Sequence, residues 1–273
     1  MGIRDFFGNH KKPDEEKSAS EIKEKGGLFA ASVLLSEAKF SFEQFVSDLK
    51  ADWDITLDSE DTAHDRDTMV IHIDGMMAAV SLFPAPVPNG EAESNARTNY
   101  RWPDAVKAAQ KHKAHLFIAM LPKGQPFAEA GIALVRLCAS ALGQETAVAV
   151  NTAGTVFAPD FYIDYARLYL DNDMYPVMNL VFFGLYSNDG GKTLCSYTYG
   201  LKPSFGKDEI EVLDSAYSPG ELLEFMTDVA AYVIESDVVL RDGETIGFSE
   251  EQKLPITKSP SAVLDGETVK IKF

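Results

Sequence analysis

The chain has 273 residues, and its 25 Lys and Arg against 42 Asp and Glu give a formal net charge of −17. This charge excludes a cationic nucleic-acid binder, because neutralising phosphates requires a dense Lys and Arg surface. The hydrophobic fraction of 45% is that of a globular protein and excludes disorder for most of the chain, whose length allows one large or two small domains.

Residues 1–27 have the composition of a flexible tail, with six basic and six acidic residues and no periodic apolar face. They also lack the apolar core of a signal peptide. The apolar runs at 131–142 and 177–186 are shorter than the roughly 18 to 20 residues that cross a bilayer. Cys138 and Cys195 fit buried, reduced thiols, so we expect a cytoplasmic protein with no membrane span.

The segment 28–145 predicts a first α+β half. After a strand at 28–35, Ser41 to Gln44 form a capping box at a helix start. Two further strands flank Asp74-Gly75, a dipeptide typical of two-residue hairpin turns. A helical region at about 92–112 and a strand at 116–121 complete the order β-α-β-β-α-β, the ferredoxin-like unit.

The segment 146–273 repeats this order loosely. We expect a strand at 147–150, a helix after Pro159, a hairpin of 177–186 with 194–200, and a strand at 210–213. Ser218 to Glu221 predict a capped helix start, and 238–240 predict a strand. Between the halves, the helix expected at 127–142 has only Glu129 and Arg136 as charged residues, so it should be covered on several sides.

These patterns predict an α+β protein in which two loosely similar ferredoxin-like halves pack around that central apolar helix. With the tail, the expected boundaries are 1–27, 28–145 and 146–273, the two halves forming one compact unit. No catalytic motif of the nucleophile-elbow, P-loop, dinucleotide or Cys-x-x-Cys type occurs. The five histidines do not form a convincing metal-ligand pattern, so we expect no metal and no cofactor.

One segment is dense in polar side chains that suit a ligand. Three alternating prolines at 84–88 stiffen the chain before it. If a helix begins near Gly90, then Glu91, Asn95 and Asn99 share one side, and Arg97 and Arg101 share another. The alternative is structural, with the asparagines bonded to a neighbouring loop and with Tyr100 and Trp102 in the core. The candidate ligand-binding residues are Asn89, Glu91, Glu93, Asn95, Arg97, Asn99, Arg101 and Trp102.

The negative charge lies mainly at the C-terminal end. The last 69 residues hold six basic and 15 acidic residues, a net charge of −9, whereas the larger segment 28–204 has −8. Such a surface favours a basic protein partner, one form of which would be a toxin or nuclease that the protein neutralises, although it could serve solubility alone. Two alternatives stay open: an enzyme or small-ligand binder using the segment 89–102, and a homodimer formed by edge-strand pairing.

Several blocks resemble a bacterial family, the domain of unknown function 4261. They are residues 84–102, 152–162, 205–213 and 240–249, the third reading Phe-Gly-Lys-Asp-Glu-Ile-Glu-Val-Leu. The resemblance covers roughly 28–273 and implies a bacterial, intracellular protein. It assigns no activity, so it implies no catalytic residue.

Overall fold

The computed structural model describes residues 26–57, 62–247, 249 and 251–273. The expected tail at 1–27 therefore lies almost wholly outside the described residues. Within them the chain forms two compact units, 28–180 and 181–273, the second of which also includes Gly27. Each unit has its own sheet with helices, which confirms a mixed α and β protein.

The first unit contains seven strands and six helices among its described residues. In chain order they are β1 (Phe29–Leu35), α1 (Phe42–Trp53), β2 (Thr62–Asp65), β3 (Thr68–Ile73), β4 (Met76–Phe83), α2 (Glu91–Ala96), α3 (Ala105–Lys111), β5 (Ala114–Leu121), α4 (Phe127–Leu142), β6 (Ala147–Thr152), β7 (Thr155–Phe157), α5 (Pro159–Leu170) and α6 (Val177–Leu180). A short 3-10 turn, Pro88–Gly90, precedes α2.

The turn and the helix cap that the sequence predicts for the first unit both form. Asp74 and Gly75 have φ values of 51° and 76°, which the turn between β3 and β4 requires. Ser41 caps α1 by accepting from the amide of Gln44. The reciprocal contact comes from Gln144 rather than Gln44, since Gln144 Oε1 accepts from the Ser41 amide at 2.8 Å. A distant side chain thus completes the predicted cap.

The strand order of the first sheet is β2-β3-β4-β5-β1-β6-β7, and every neighbouring pair is antiparallel. The ferredoxin-like expectation is not met here, because β5 lies between β4 and β1 and leaves β1 antiparallel to β3. In a split βαβ arrangement the first two strands run parallel. The element order was therefore predicted, but not the pairing.

Helix α4 packs on β1, β5 and β6 and contacts α1 and α5, all of them elements of the first unit. The sequence predicts a central position between two halves, whereas these contacts lie within one unit. The boundary also differs from the expected 145/146: β6 and β7 pair in the first sheet, so the first unit extends to Leu180. Strand pairing to β1, which local patterns do not show, decides this boundary.

The second unit consists of β8 (Phe182–Tyr186), β9 (Leu194–Tyr199), α7 (Leu201–Phe205), β10 (Ile210–Ser215), α8 (Pro219–Glu235), β11 (Thr245–Ile246), β12 (Leu254–Pro260) and β13 (Glu267–Ile271). Its sheet order is β11-β12-β13-β10-β9-β8. The pair β10 and β13 is parallel and the others are antiparallel. The order again differs from a ferredoxin-like half.

Helix α8 has the complete capping box that the sequence predicts, with Ser218 and Glu221 each bonded to the other's backbone amide. Its inner side buries Leu222, Phe225, Met226 and Val229. Two predictions differ in detail. The run 177–186 is divided between α6 and β8, and residues 238–240 are not in a strand.

Candidate functional site

The polar segment 89–102 lies against β6 and β7 in the first unit. Asn95 Nδ2 donates to Asn151 Oδ1 at 2.9 Å, and Asn151 Nδ2 donates to Glu91 Oε1 at 3.3 Å. Asn99 Nδ2 donates to the Val156 carbonyl at 2.8 Å. The side of the segment that the sequence singled out is therefore used to attach it to two strands.

The asparagine at 99 also shapes the chain that follows it. Its Oδ1 accepts from the amides of Arg101 and Trp102, at 2.9 and 3.1 Å. Trp102 packs against a cluster formed largely by alanines of α2 and α3, with Leu34 and Val156. This geometry resembles the structural alternative, although the asparagines bond two strands rather than a loop. Trp102 packs against the core as that alternative expects, whereas Tyr100 is 47% exposed and does not.

The remaining candidate residues do not converge with these. Asn89 and Arg97 are exposed, and Asn89 has a φ of 58° within the turn before α2. The Arg101 guanidinium lies 5.5 Å from the centroid of the Tyr100 ring. Glu93 Oε2 is buried without a hydrogen-bond partner among the described residues. Ligand binding by this segment stays a prediction.

Two histidines hold the proline-rich segment in place. His112 is buried, and its Nε2 accepts from the Val87 amide at 2.9 Å while its Nδ1 contacts the Ala109 carbonyl. His115 Nδ1 donates to the Ala85 carbonyl at 2.8 Å. The described residues contain no group of three His, Cys, Asp or Glu side chains placed to hold a metal ion.

The structure places a concentration of negative charge on the outer side of α8. Its seventeen residues include four carboxylates and no Lys or Arg. Spacings of three, four and seven residues place these carboxylates along one side of the helix, which we call the acidic stripe: Glu221, Glu224, Asp228 and Glu235. The sequence located the charge in the C-terminal region but did not assign it to one helix face.

Two members of the acidic stripe face each other without a cation. Glu224 and Asp228 are one turn apart, and neither forms an ion pair with any described residue. Burial, with a smaller contribution from the Glu224 charge, raises the pKa of Asp228 to about 6. Like charges at this spacing destabilise a helix, so the arrangement costs stability in the isolated protein.

Four cations of the second unit form ion pairs away from Glu224 and Asp228. Lys207 pairs with Asp237, Arg241 with Glu244, and Lys258 with Asp208, at distances of 2.6 to 3.5 Å. Lys270 pairs with the buried Glu211 at 3.2 Å. Glu224 and Asp228 of the acidic stripe form no ion pair with these or other described cations.

Residues 197–272 match the model of the family described as Domain of unknown function (DUF4261). The match runs from within β9 to the end of β13 and includes α8 with its acidic stripe. It confirms the resemblance over that segment, which is shorter than the expected 28–273. No curated protein and no solved structure gives a significant match. No helix among the described residues is long and apolar enough to cross a membrane.

Proposed function

We propose that the second unit is a non-enzymatic protein-binding module and that the acidic stripe of α8 receives a basic surface of its partner. The observation that carries this proposal is the adjacent pair Glu224 and Asp228, which has no cation beside it among the described residues. A partner Lys or Arg placed between the two carboxylates would offset their repulsion and lower the pKa of Asp228.

The chemistry of the stripe suits such a contact. Glu221 is fixed by the capping box, so the first turn of α8 presents an ordered carboxylate. Complementary charges of this kind accelerate encounter and discriminate against acidic partners more than they add affinity. A basic toxin or nuclease neutralised by this protein is a partner class with the required surface. The cytoplasmic location expected from the sequence belongs to the same proposal.

Affinity capture at two ionic strengths tests the proposal. The immobilised protein is exposed to lysate of the source organism at low salt and then washed at about 1 M salt, where charges are screened beyond about 3 Å. We expect a defined set of Lys- and Arg-rich proteins that is retained at low salt and released at high salt. Failure to retain any basic protein at low salt would contradict the proposal.

The other functions expected from the sequence stay predictions. The segment 89–102 uses its amides for attachment to β6 and β7, and no specific observation favours a ligand there. A homodimer formed by edge-strand pairing is tested by a measured solution mass, which would be twice the 29.9 kDa of one chain.

A further inference from the structure

The second unit contains a cavity of about 350 Å³ that the sequence analysis did not anticipate. One wall is a row across the sheet, because Lys258 of β12 pairs with Val269 of β13, which pairs with Ile210 of β10. Val233 of α8 and the aliphatic residues 238–240 also line it. Six of the eleven lining residues are therefore aliphatic, and the size of the cavity is within the range of small-molecule sites.

Lysines supply most of the charge around this cavity. Its lining includes Lys202, Lys207 and Lys258 but only one carboxylate, Asp208. Lys207 is 9% exposed, and its Nζ reaches out to Asp237 at 2.6 Å, a carboxylate whose side chain is 91% exposed. Lys258 Nζ is 2.6 Å from Asp208 Oδ2. Three lysines thus line one cavity in a segment whose net charge is negative, and two of them are paired with carboxylates.

A buried carboxylate orders the chain that carries two of these lysines. Glu209 Oε1 accepts from the amides of Gly200 and Lys202, at 2.9 and 3.0 Å. Gly206, with a φ of 66°, ends α7 and turns the chain towards Lys207. Since a side chain at positive φ is strained, glycine suits this turn. These contacts and the turn at Gly206 fix the backbone positions of Lys202 and Lys207.

We propose that this cavity binds an organic anion, with a phosphate monoester head at the three lysines and an aliphatic portion on the aliphatic lining residues. The three ammonium groups and the two carboxylates that pair with them, Asp208 and Asp237, leave one positive charge in excess, which an anionic head would offset. Lys207 and Lys258 would exchange their present carboxylate partners for the ligand. The site is separate from the acidic stripe and does not depend on protein binding.

Isothermal titration with matched probes tests both parts of the ligand. The probes are hexyl phosphate, which has head and tail, inorganic phosphate, which has the head alone, and hexanol, which has the tail alone. We expect one hexyl phosphate per chain, with each partial probe at least about tenfold weaker, a difference of about 1.4 kcal/mol. Hexanoate has the same kind of tail with a carboxylate head in place of the phosphate. If hexanoate bound more tightly than hexyl phosphate, the assignment of the site to phosphate would be overturned.

Lysine variants locate the binding. Lys207→Met and Lys202→Met should each weaken hexyl phosphate about tenfold, whereas Lys272→Met, an exposed lysine outside the cavity, should leave it unchanged. Lys202 is itself exposed, so its replacement does not threaten folding and keeps the test valid if Lys207→Met unfolds. The absence of saturable binding, or equal binding by Lys202→Met and Lys272→Met, would overturn the proposal.

Discussion

At the scale of single residues, Asp228 links charge to stability. Its carboxyl is partly buried beside Glu224, and its pKa of about 6 exceeds the ordinary 3.8. The folded state therefore holds this proton more tightly than the unfolded state does. The stabilisation from protonation is complete below pH 4 and is lost as the pH rises through about 6.

The variant Asp228→Asn should accordingly be more stable than the wild type at pH 7. After allowance for solvent screening of this partly exposed group, we expect a gain of about 1 kcal/mol. Urea unfolding at pH 7 and at about pH 4 measures it, and the gain should vanish at the lower pH because wild-type Asp228 is then largely neutral in the folded state. A gain that is equal at both pH values would show that charge is not its cause.

Gly184 of β8 illustrates a residue whose small size is required. A Cβ atom at this position would lie 2.1 Å from Cε1 of Tyr197, its cross-strand neighbour on β9. Gly184→Ala should therefore destabilise the protein by about 1–3 kcal/mol, since the ring must move. Gly220→Ala is the matched control, because its Cβ meets no atom within 4 Å, and it should not be destabilised in the same thermal unfolding measurement.

At the scale of elements, Asn151 of β6 attaches α2 to the first sheet. Replacing it with alanine removes the partner of Asn95 Nδ2 and a contact with Glu91. We expect Asn151→Ala to cost about 1–3 kcal/mol in urea unfolding, since partly buried polar groups lose their bonds. Arg97→Ala, an exposed change on the same segment, should stay within about 0.5 kcal/mol. Equal effects of both variants would contradict the attachment role.

The elements that the sequence predicts best are those specified by local chemistry. The Asp74-Gly75 turn and the Ser218 capping box depend on neighbouring residues, and both form as predicted. Elements that depend on distant residues were harder to predict from the sequence. Gln144 completes the cap of α1 from about a hundred residues away, and β6 joins the first sheet by pairing with β1. Strand order and the unit boundary follow from such pairings.

The candidate sites show the same division. The spacing of Glu91, Asn95 and Asn99 predicts one side of a helix, but the helix ends at Ala96 and Asn99 lies beyond it. All three side chains nevertheless bond residues of β6 and β7, strands whose position local spacing does not show. The acidic stripe could be anticipated only as regional charge. The lysine-lined cavity could not be found from sequence, because Lys202, Lys207 and Lys258 are brought together by α7 and by the pairing of β12 with β13.

At the scale of the whole molecule, the net charge of −17 divides into surfaces with different roles. Internal pairs such as Lys270 with Glu211 neutralise some of the carboxylates. Glu224 and Asp228 of the acidic stripe form no ion pair with a described residue, and the stripe lies within the segment 197–272 that the family model matches. We therefore propose that the stripe, rather than the total charge, determines partner binding.

Capture of basic proteins by two isoelectric variants tests this claim most directly. Glu224→Gln with Asp228→Asn and the control Asp265→Asn with Glu267→Gln remove the same charge from the second unit, the control pair being exposed near the β12–β13 turn. The account predicts that the first variant loses most of the salt-sensitive, basic proteins retained by the wild type and that the control keeps them. Equal retention by both variants would contradict it, since total charge rather than the acidic stripe would then explain the binding.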